Sequence, residues 1–279
     1  MARVRLQPAW HKLLVLVVVT TPLVGVLAAI WLLWERAVTW RDLVLLLALY
    51  VPTSLGVTVG FHRMLAHRAF TAATPVRAVL LVLGSAAIEG APLDWAANHR
   101  RHHALSDREG DPHSPLHGLL HAHVGWLFSG VQADTDEYCR DVLSDRVVCF
   151  VDNANWLWSL LGLLLPFLLG GWSGLLWGGL VRTFLVHHVS WSVNSICHTF
   201  GERRFQTADR SRNHWLVGLL ALGEGWHNNR HAFPRAAIHG LEAGQLDVSG
   251  YIIGALERLG LVHDVYRPSP EALARRRLP

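Results

Sequence analysis

The strongest constraint on this chain is the run of residues 13–34, 22 consecutive positions without a charge. A helix rises about 1.5 Å per residue and a bilayer core is about 30 Å thick, so such a run crosses it once. It is longer than the apolar part of a secretory signal peptide and is expected to be retained. A second uncharged run, residues 153–181, has 29 positions and is too long for one crossing. Gly170-Gly171-Trp172-Ser173-Gly174 inside it predicts a hairpin. Spans are therefore expected at 13–34, 43–61, 155–171 and 175–198, with a brief charged loop at 35–42. The second is broken by Pro52, Gly56 and Gly60, which a helix bundle tolerates. Only 16% of the 279 residues are charged, against about 25% in a soluble protein, which fits a membrane chain.

Residues 63–155 are mostly polar. One apolar piece, 78–93, carries Glu89 and reads as a re-entrant or interfacial helix. Four crossings put the N-terminus, 62–154 and 199–279 on one side. That side holds most arginines, including Arg275 to Arg277, so it is expected to be cytoplasmic in the inner membrane. The Arg275 to Arg277 run reads as a solvated tail near anionic headgroups. The expected fold class is an all-α integral membrane protein, one domain over 1–279, with four transmembrane helices under a cytosolic histidine-rich helical cap. Cys139, Cys149 and Cys197 show no CxxC spacing, which argues against a disulfide framework or a thiolate-bound metal. There is no P-loop or dinucleotide fingerprint and nothing that suggests nucleic acid.

The polar part carries histidines in groups. His99, His102 and His103 sit at offsets 0, 3 and 4, which place three imidazoles on one helical face. Neutral imidazole ligates iron, zinc, copper and nickel. His227 and His231 are four apart. His62 and His67 are five apart, about 140° around an α-helix, and are expected to reach two neighbouring ions rather than one. His198 lies at the end of a span, with Asn194 four residues earlier on the same face. His187 and His188 lie inside that span and either bind metal or hydrogen-bond in the bundle. Together these make a shell of eight histidines, and an all-imidazole dinuclear site suits iron, with zinc and copper also open. Glu89, Asp94, Asp107 and Glu224 are candidate acceptors for ring N–H groups or plain surface carboxylates.

Taken in order, several motifs resemble a membrane fatty acid desaturase of the bacterial acyl-CoA (stearoyl-CoA, delta-9) type over about residues 50–267. They are Gly60-Phe61-His62-Arg63-Met64-Leu65-Ala66-His67-Arg68, His99-Arg100-Arg101-His102-His103, Asp111-Pro112-His113-Ser114, His123-Val124-Gly125-Trp126-Leu127, Asn194-Ser195-Ile196-Cys197-His198 and Gly223-Glu224-Gly225-Trp226-His227-Asn228-Asn229. The resemblance implies two Fe ions held by His62, His67, His99, His102, His103, His198, His227 and His231, with Asn194 holding an iron-bound water. It implies O2 as co-substrate and a cis double bond in a fatty acyl chain, at delta-9 of an acyl-CoA or acyl-lipid. The electron donor would be an external ferredoxin or cytochrome with its reductase. Trp95, Trp126, Trp191 and Trp226 are candidate tunnel residues; most of the 13 tryptophans fit packing and the aromatic belt. A lipid hydroxylase of the same architecture, or a catalytically silent metal- or haem-binding membrane protein, is the competing reading.

One position departs from the pattern. The third box of that family reads His-x-x-His-His, whereas here it is His227-Asn228-Asn229-Arg230-His231. A guanidinium offers no lone pair to a metal. Arg230 either turns away onto a phosphate or carboxylate, or a spare group such as His187, His188 or Asn194 moves in, or the second iron is weak or absent. The expectation is an intact fold with one iron less tightly held.

Overall fold

The computed structural model describes residues 3–34 and 38–279; of the expected charged loop at 35–42, residues 35–37 lie outside the described residues. Strand β1 (Val4–Leu6) precedes helix α1 (Ala9–Trp34), whose apolar side chains, Leu13, Leu14, Val24 and Trp31 among them, point outward. Helix α2 (Trp40–Leu55) starts at a capping box, in which Asp42 Oδ2 accepts from the Thr39 backbone N–H at 2.9 Å. It continues without a break into a π-helical stretch, Gly56–Ala66.

Among the described residues three helical stretches are long and apolar enough to cross a membrane: Ala9–Trp34, Trp40–Ala66 and Asn155–His198. The last is 44 residues long and would reach about 66 Å if straight. It is not straight. Gly171 adopts φ 62° and ψ −145°, a conformation open to glycine, and the chain folds back there. Beyond the fold, the Arg182 guanidinium donates to Gly162 O at 3.0 Å, and a Cβ on Gly174 would lie 2.1 Å from Pro166 O. The hairpin expected from the glycine run is therefore present between α8 (Asn155–Gly174) and the segment formed by Leu175–Val181 and α9 (Arg182–Ser195), as named in order below.

After Gly56–Ala66 come β2 (Thr71–Ala72) and α3 (Thr74–Ser85). Helix α3 lies so close to the π-helical stretch that a Cβ on Gly56 would sit 2.1 Å from the Gly84 nitrogen. The apolar helix expected at 78–93 thus begins earlier, at the proline-marked start of α3, and stops at Ser85. Positive φ at Ile88 (65°) and Gly90 (102°) ends it and leaves Glu89 in a loop. Helix α4 (Pro92–Leu105) carries the central histidines. There follow α5 (Leu119–His123), β3 (Val131–Ala133), α6 (Thr135–Tyr138) and α7 (Arg146–Asn153), then the hairpin, α10 (Trp215–Leu220), α11 (His227–Ala232), α12 (Val248–Arg258), β4 (Val262–His263) and α13 (Pro270–Arg276). β1 pairs with β3 and β2 with β4, both antiparallel. The main core, with Val59, Phe61, Leu81, Ala96, Ala97 and Ile253 fully buried, joins the π-helical stretch to α3, α4 and α12.

Candidate metal centre

The site is built where α4 and α11 face each other. Each presents side chains at offsets 0, 3 and 4: His99, His102 and His103 from α4, and His227, Arg230 and His231 from α11. His198, at the end of the hairpin's second arm, and His62 and His67, on the π-helical stretch and at its end, complete the group.

His102, His198, His227 and His231 bring one ring nitrogen each to within 4.8 Å of one another. All four are buried. Three have the other ring nitrogen held by a carboxylate. His102 Nδ1 donates to Asp111 Oδ1 at 2.9 Å, His198 Nδ1 to Asp107 Oδ2 at 3.0 Å, and His231 Nδ1 to Asp209 Oδ2 at 2.7 Å. An acceptor at Nδ1 fixes the proton there and leaves the Nε2 lone pair free. Those Nε2 atoms converge. His227 Nε2 lies 2.9 Å from His198 Nε2 and 3.1 Å from His231 Nε2, and His102 Nε2 is buried without a partner. A proton on His227 Nε2 satisfies one neighbour at most, and the remaining lone pairs, aimed at one another, are unfavourable unless a cation lies between them. Burial, followed by neighbouring His198, holds His102 well below the usual imidazole range, and burial does the same for His227 and His231, so these ligands are neutral. The residues fit one metal ion.

The second set is His62, His67 and His99, whose ligand nitrogens also lie within 4.8 Å of one another, with His103 beside them. The spacing argument fails here, for a physical reason. Gly56–Ala66 is π-helical, and its bonds close five residues back, so residues five apart stack. His67 N–H donates to His62 O at 3.0 Å, and the two rings are 4.8 Å apart rather than on separate faces. His62 Nδ1 lies 2.6 Å from Glu224 Oε2, close enough to pair with it, and its Nε2 is buried without a partner among the described residues. Burial would raise Glu224, but His62, Arg63 and His239 outweigh it and hold its carboxyl well below the usual carboxylate range.

Arg230 fills the middle of this set. Its Nη2 donates to His99 Nε2 at 2.7 Å, its Nη1 reaches His67 Nε2 at 3.4 Å, and Nη1 also contacts His103 Nε2. Burial pushes its pKa down to about 9, which still leaves it charged at neutral pH. Arg230 does not turn onto a carboxylate or phosphate, one of the outcomes expected for it: its hydrogen bonds go to imidazoles. Nor does a spare histidine move in. His188 Nδ1 pairs with His123 Nε2 at 2.9 Å and His187 Nε2 with Ala87 O at 3.0 Å, both away from the cluster. A second ion does not fit this arrangement.

A small, partly open cavity of about 50 Å³ lies beside the second set. Val57, Val186, Val189 and Val193 make its apolar wall, and Trp95, Asn194, Glu89, His62, His99 and Arg230 reach it. Asn194 thus shares this cavity with His62 and His99. Trp95 stacks on His99 (5.0 Å between centroids, 15°) and donates its indole N–H to Glu89 Oε2 at 3.0 Å. Burial raises Glu89 to about 7.

Of the other tryptophans proposed for the substrate, Trp226 is buried with its indole donating to Leu246 O at 2.8 Å, and Trp126 packs edge-on against His113 at 5.3 Å. Trp191 stacks on His187 at 5.1 Å. None of the three lines the cavity. Their indoles are fixed by packing instead. Of the carboxylates, Asp107 and Glu224 do hold ring nitrogens, whereas Asp94 pairs with Arg5 and Glu89 with Trp95 and Ser190. Sequence reasoning missed Asp111, Asp209, His113 and His239. His239 is buried, 3.2 Å from Glu224 Oε2, and His113 stacks 4.2 Å from His102. The Asp-Pro-His motif was a signal for Asp111 and His113; Asp209, in a loop 22 residues before His231, had none.

A family model described as fatty acid desaturase matches residues 38–248. The chain is similar to a hex-5-enoyl-[acyl-carrier protein] acetylenase of Moorena producens, 38% identical over 278 residues covering 92% of this chain and 87% of the relative. It is also similar to an sn-1 stearoyl-lipid 9-desaturase of Anabaena variabilis, 40% identical, covering 80% and 82%. An acyl-CoA C20 Delta5-desaturase of Anemone leveillei is 37% identical, covering 88% and 80%.

Proposed function

Because the chain belongs to the fatty acid desaturase family, we propose that it introduces a cis double bond into a fatty acyl chain in the synthesis of unsaturated membrane lipid. The observation that carries this reading is the convergence of four buried imidazoles, His102, His198, His227 and His231, next to the histidine set that borders a valine-walled cavity. His102, His198, His227 and His231 would hold one iron, and bound iron supplies the O2-dependent oxidation. O2 takes up four electrons and four protons to give two waters. The two C–H bonds provide two electrons and two protons, an external ferredoxin or cytochrome, with its reductase, provides the other two electrons, and solvent provides the other two protons.

This chain's own residues set the conditions for that chemistry. Asp107, Asp111 and Asp209 hold the ring protons at Nδ1 and so keep the Nε2 lone pairs turned inward. The valines exclude water and fix the depth of an acyl segment, and the polar end beside Asn194 and Trp95 bounds it. The acyl carrier is an acyl-CoA or a lipid, since relatives with both names are similar to this chain. Delta-9 is the favoured position, in line with the 9-desaturase relative. The second iron implied by the family is given no role, because Arg230 occupies its surroundings.

The apolar helices support membrane association. We place the protein in the cytoplasmic membrane with four crossings, 13–34, 43–61, 155–171 and 175–198, and with 62–154, 199–279 and both termini in the cytoplasm. The functional test is lipid analysis after expression in a host without desaturases. A new monounsaturated acyl chain is expected; hydroxylated acyl chains, or no change at full expression, overturn the reading. Impermeant thiol labelling of single cysteines at Ser106 and at the termini in intact cells is expected to fail, and labelling at any of them breaks the topology.

A further inference from the structure

A neutral imidazole has one free ring lone pair, and in the second histidine set Arg230 takes three of them. His99 and His67 Nε2 face Arg230 N–H groups at 2.7 and 3.4 Å, and His103 Nε2 is in contact with the same guanidinium. A lone pair that accepts from a guanidinium is not available to a cation. Of the set, only His62 Nε2 is left without a partner among the described residues, and its neighbours on that side are Glu224 and His239 rather than the rings Arg230 holds.

The other buried arginine near the site shows that Arg230 is not merely parked. Arg63 is bound by Asp247 (2.8 and 3.0 Å) and Glu224 (3.0 Å), a conventional buried pairing. Arg230 is as deeply buried, at 1% exposure, yet none of its hydrogen bonds goes to a carboxylate. Its charge is solvated by imidazoles that otherwise serve a metal. A fixed monovalent cation thus stands where a divalent one would. Among the described residues Arg230 makes no hydrogen bond to His102, His198, His227 or His231, and it reaches that set through its charge alone, which helps keep His102, His227 and His231 unprotonated.

We propose that this chain carries a one-metal centre: His102, His198, His227 and His231 bind a single ion, and the Arg230 guanidinium, held by His67, His99 and His103, permanently replaces the second. This rests on the family reading for the identity of the ion, but the stoichiometry is tested apart from activity.

The test is a titration of the full-length, detergent-purified apoprotein with Co(II), read in the visible d–d bands, alongside metal analysis after anaerobic loading with Fe(II) and desalting. Wild type should saturate at one ion per chain, with the band intensity of a tetrahedral nitrogen site. Arg230→His should saturate at two. His103→Ala should stay at one and His227→Ala should fall toward none. Two tightly held ions in wild type, or one ion in a folded Arg230→His, overturns the proposal. One ion together with no change in acyl lipids leaves the proposal standing and overturns the desaturase reading; two ions with active desaturation does the reverse.

Discussion

Two sets of imidazoles sit within one protein interior, a few ångströms apart, and they are prepared in different ways. In the set around His227, three rings are anchored by aspartates at Nδ1 and their Nε2 atoms are left facing one another. In the set around His67, a ring anchored by Glu224 is joined by rings whose free nitrogens are taken up by Arg230. Histidine count does not make a metal site. What makes one is carboxylates behind most of the rings, three of the four here, and an empty place in front of them. Both sets draw on a helix with the same 0, 3, 4 spacing, and one changed side chain at the middle position of α11 separates them.

The sharpest way to break the comparison is to remove one ring from each set. His227→Ala should abolish bound metal and desaturation, while His103→Ala should keep one ion per chain; metal analysis of both, with size-exclusion profiles to verify folding, decides it. Equal loss in both variants would mean that the two sets act as one. A smaller effect is expected from removing a carboxylate. Asp209→Ala should weaken metal binding roughly 10- to 100-fold by freeing His231 to rotate, as measured by competition with a chromophoric chelator. Affinity unchanged within twofold would show that packing alone orients the ring. The smallest effect concerns the cavity on the Arg230 side. Glu89 is raised to about 7 from the usual carboxylate value of 4.5 by burial, so the folded state keeps a proton that the unfolded chain loses. Its stabilising share is present below about pH 4.5 and is lost as pH rises toward 7. Glu89→Gln should therefore flatten the decline of thermal stability across that window relative to wild type, as followed by melting temperature; identical slopes in both proteins would place the carboxyl in contact with water.

Much of this was legible in the sequence. Uncharged runs gave the long helices, and the glycine cluster gave the fold-back at Gly171. The 0, 3, 4 spacing gave the α4 face, because that face is a property of the α-helix alone. Three things were not legible. The His62–His67 geometry depended on the hydrogen-bond register of the backbone, which residue spacing assumes rather than reveals. Asp209 and His239 come from distant loops, and only tertiary folding brings them to the rings they touch. The direction of Arg230 depended on which acceptors the folded chain left within its reach, and the sequence pointed to a phosphate or carboxylate, not to the imidazoles it meets.

A helical stretch whose hydrogen bonds close five residues back holds more residues per turn than an α-helix. Loss of one residue between His62 and His67 would set them four apart, and relaxation to an α-helix would keep both rings on one face. Gain of one residue would set them six apart, with no helix type to absorb it. Change of chain length is therefore one-sided here. This box tolerates a deletion and resists an insertion, and descent with variation at this point should record shortening rather than lengthening.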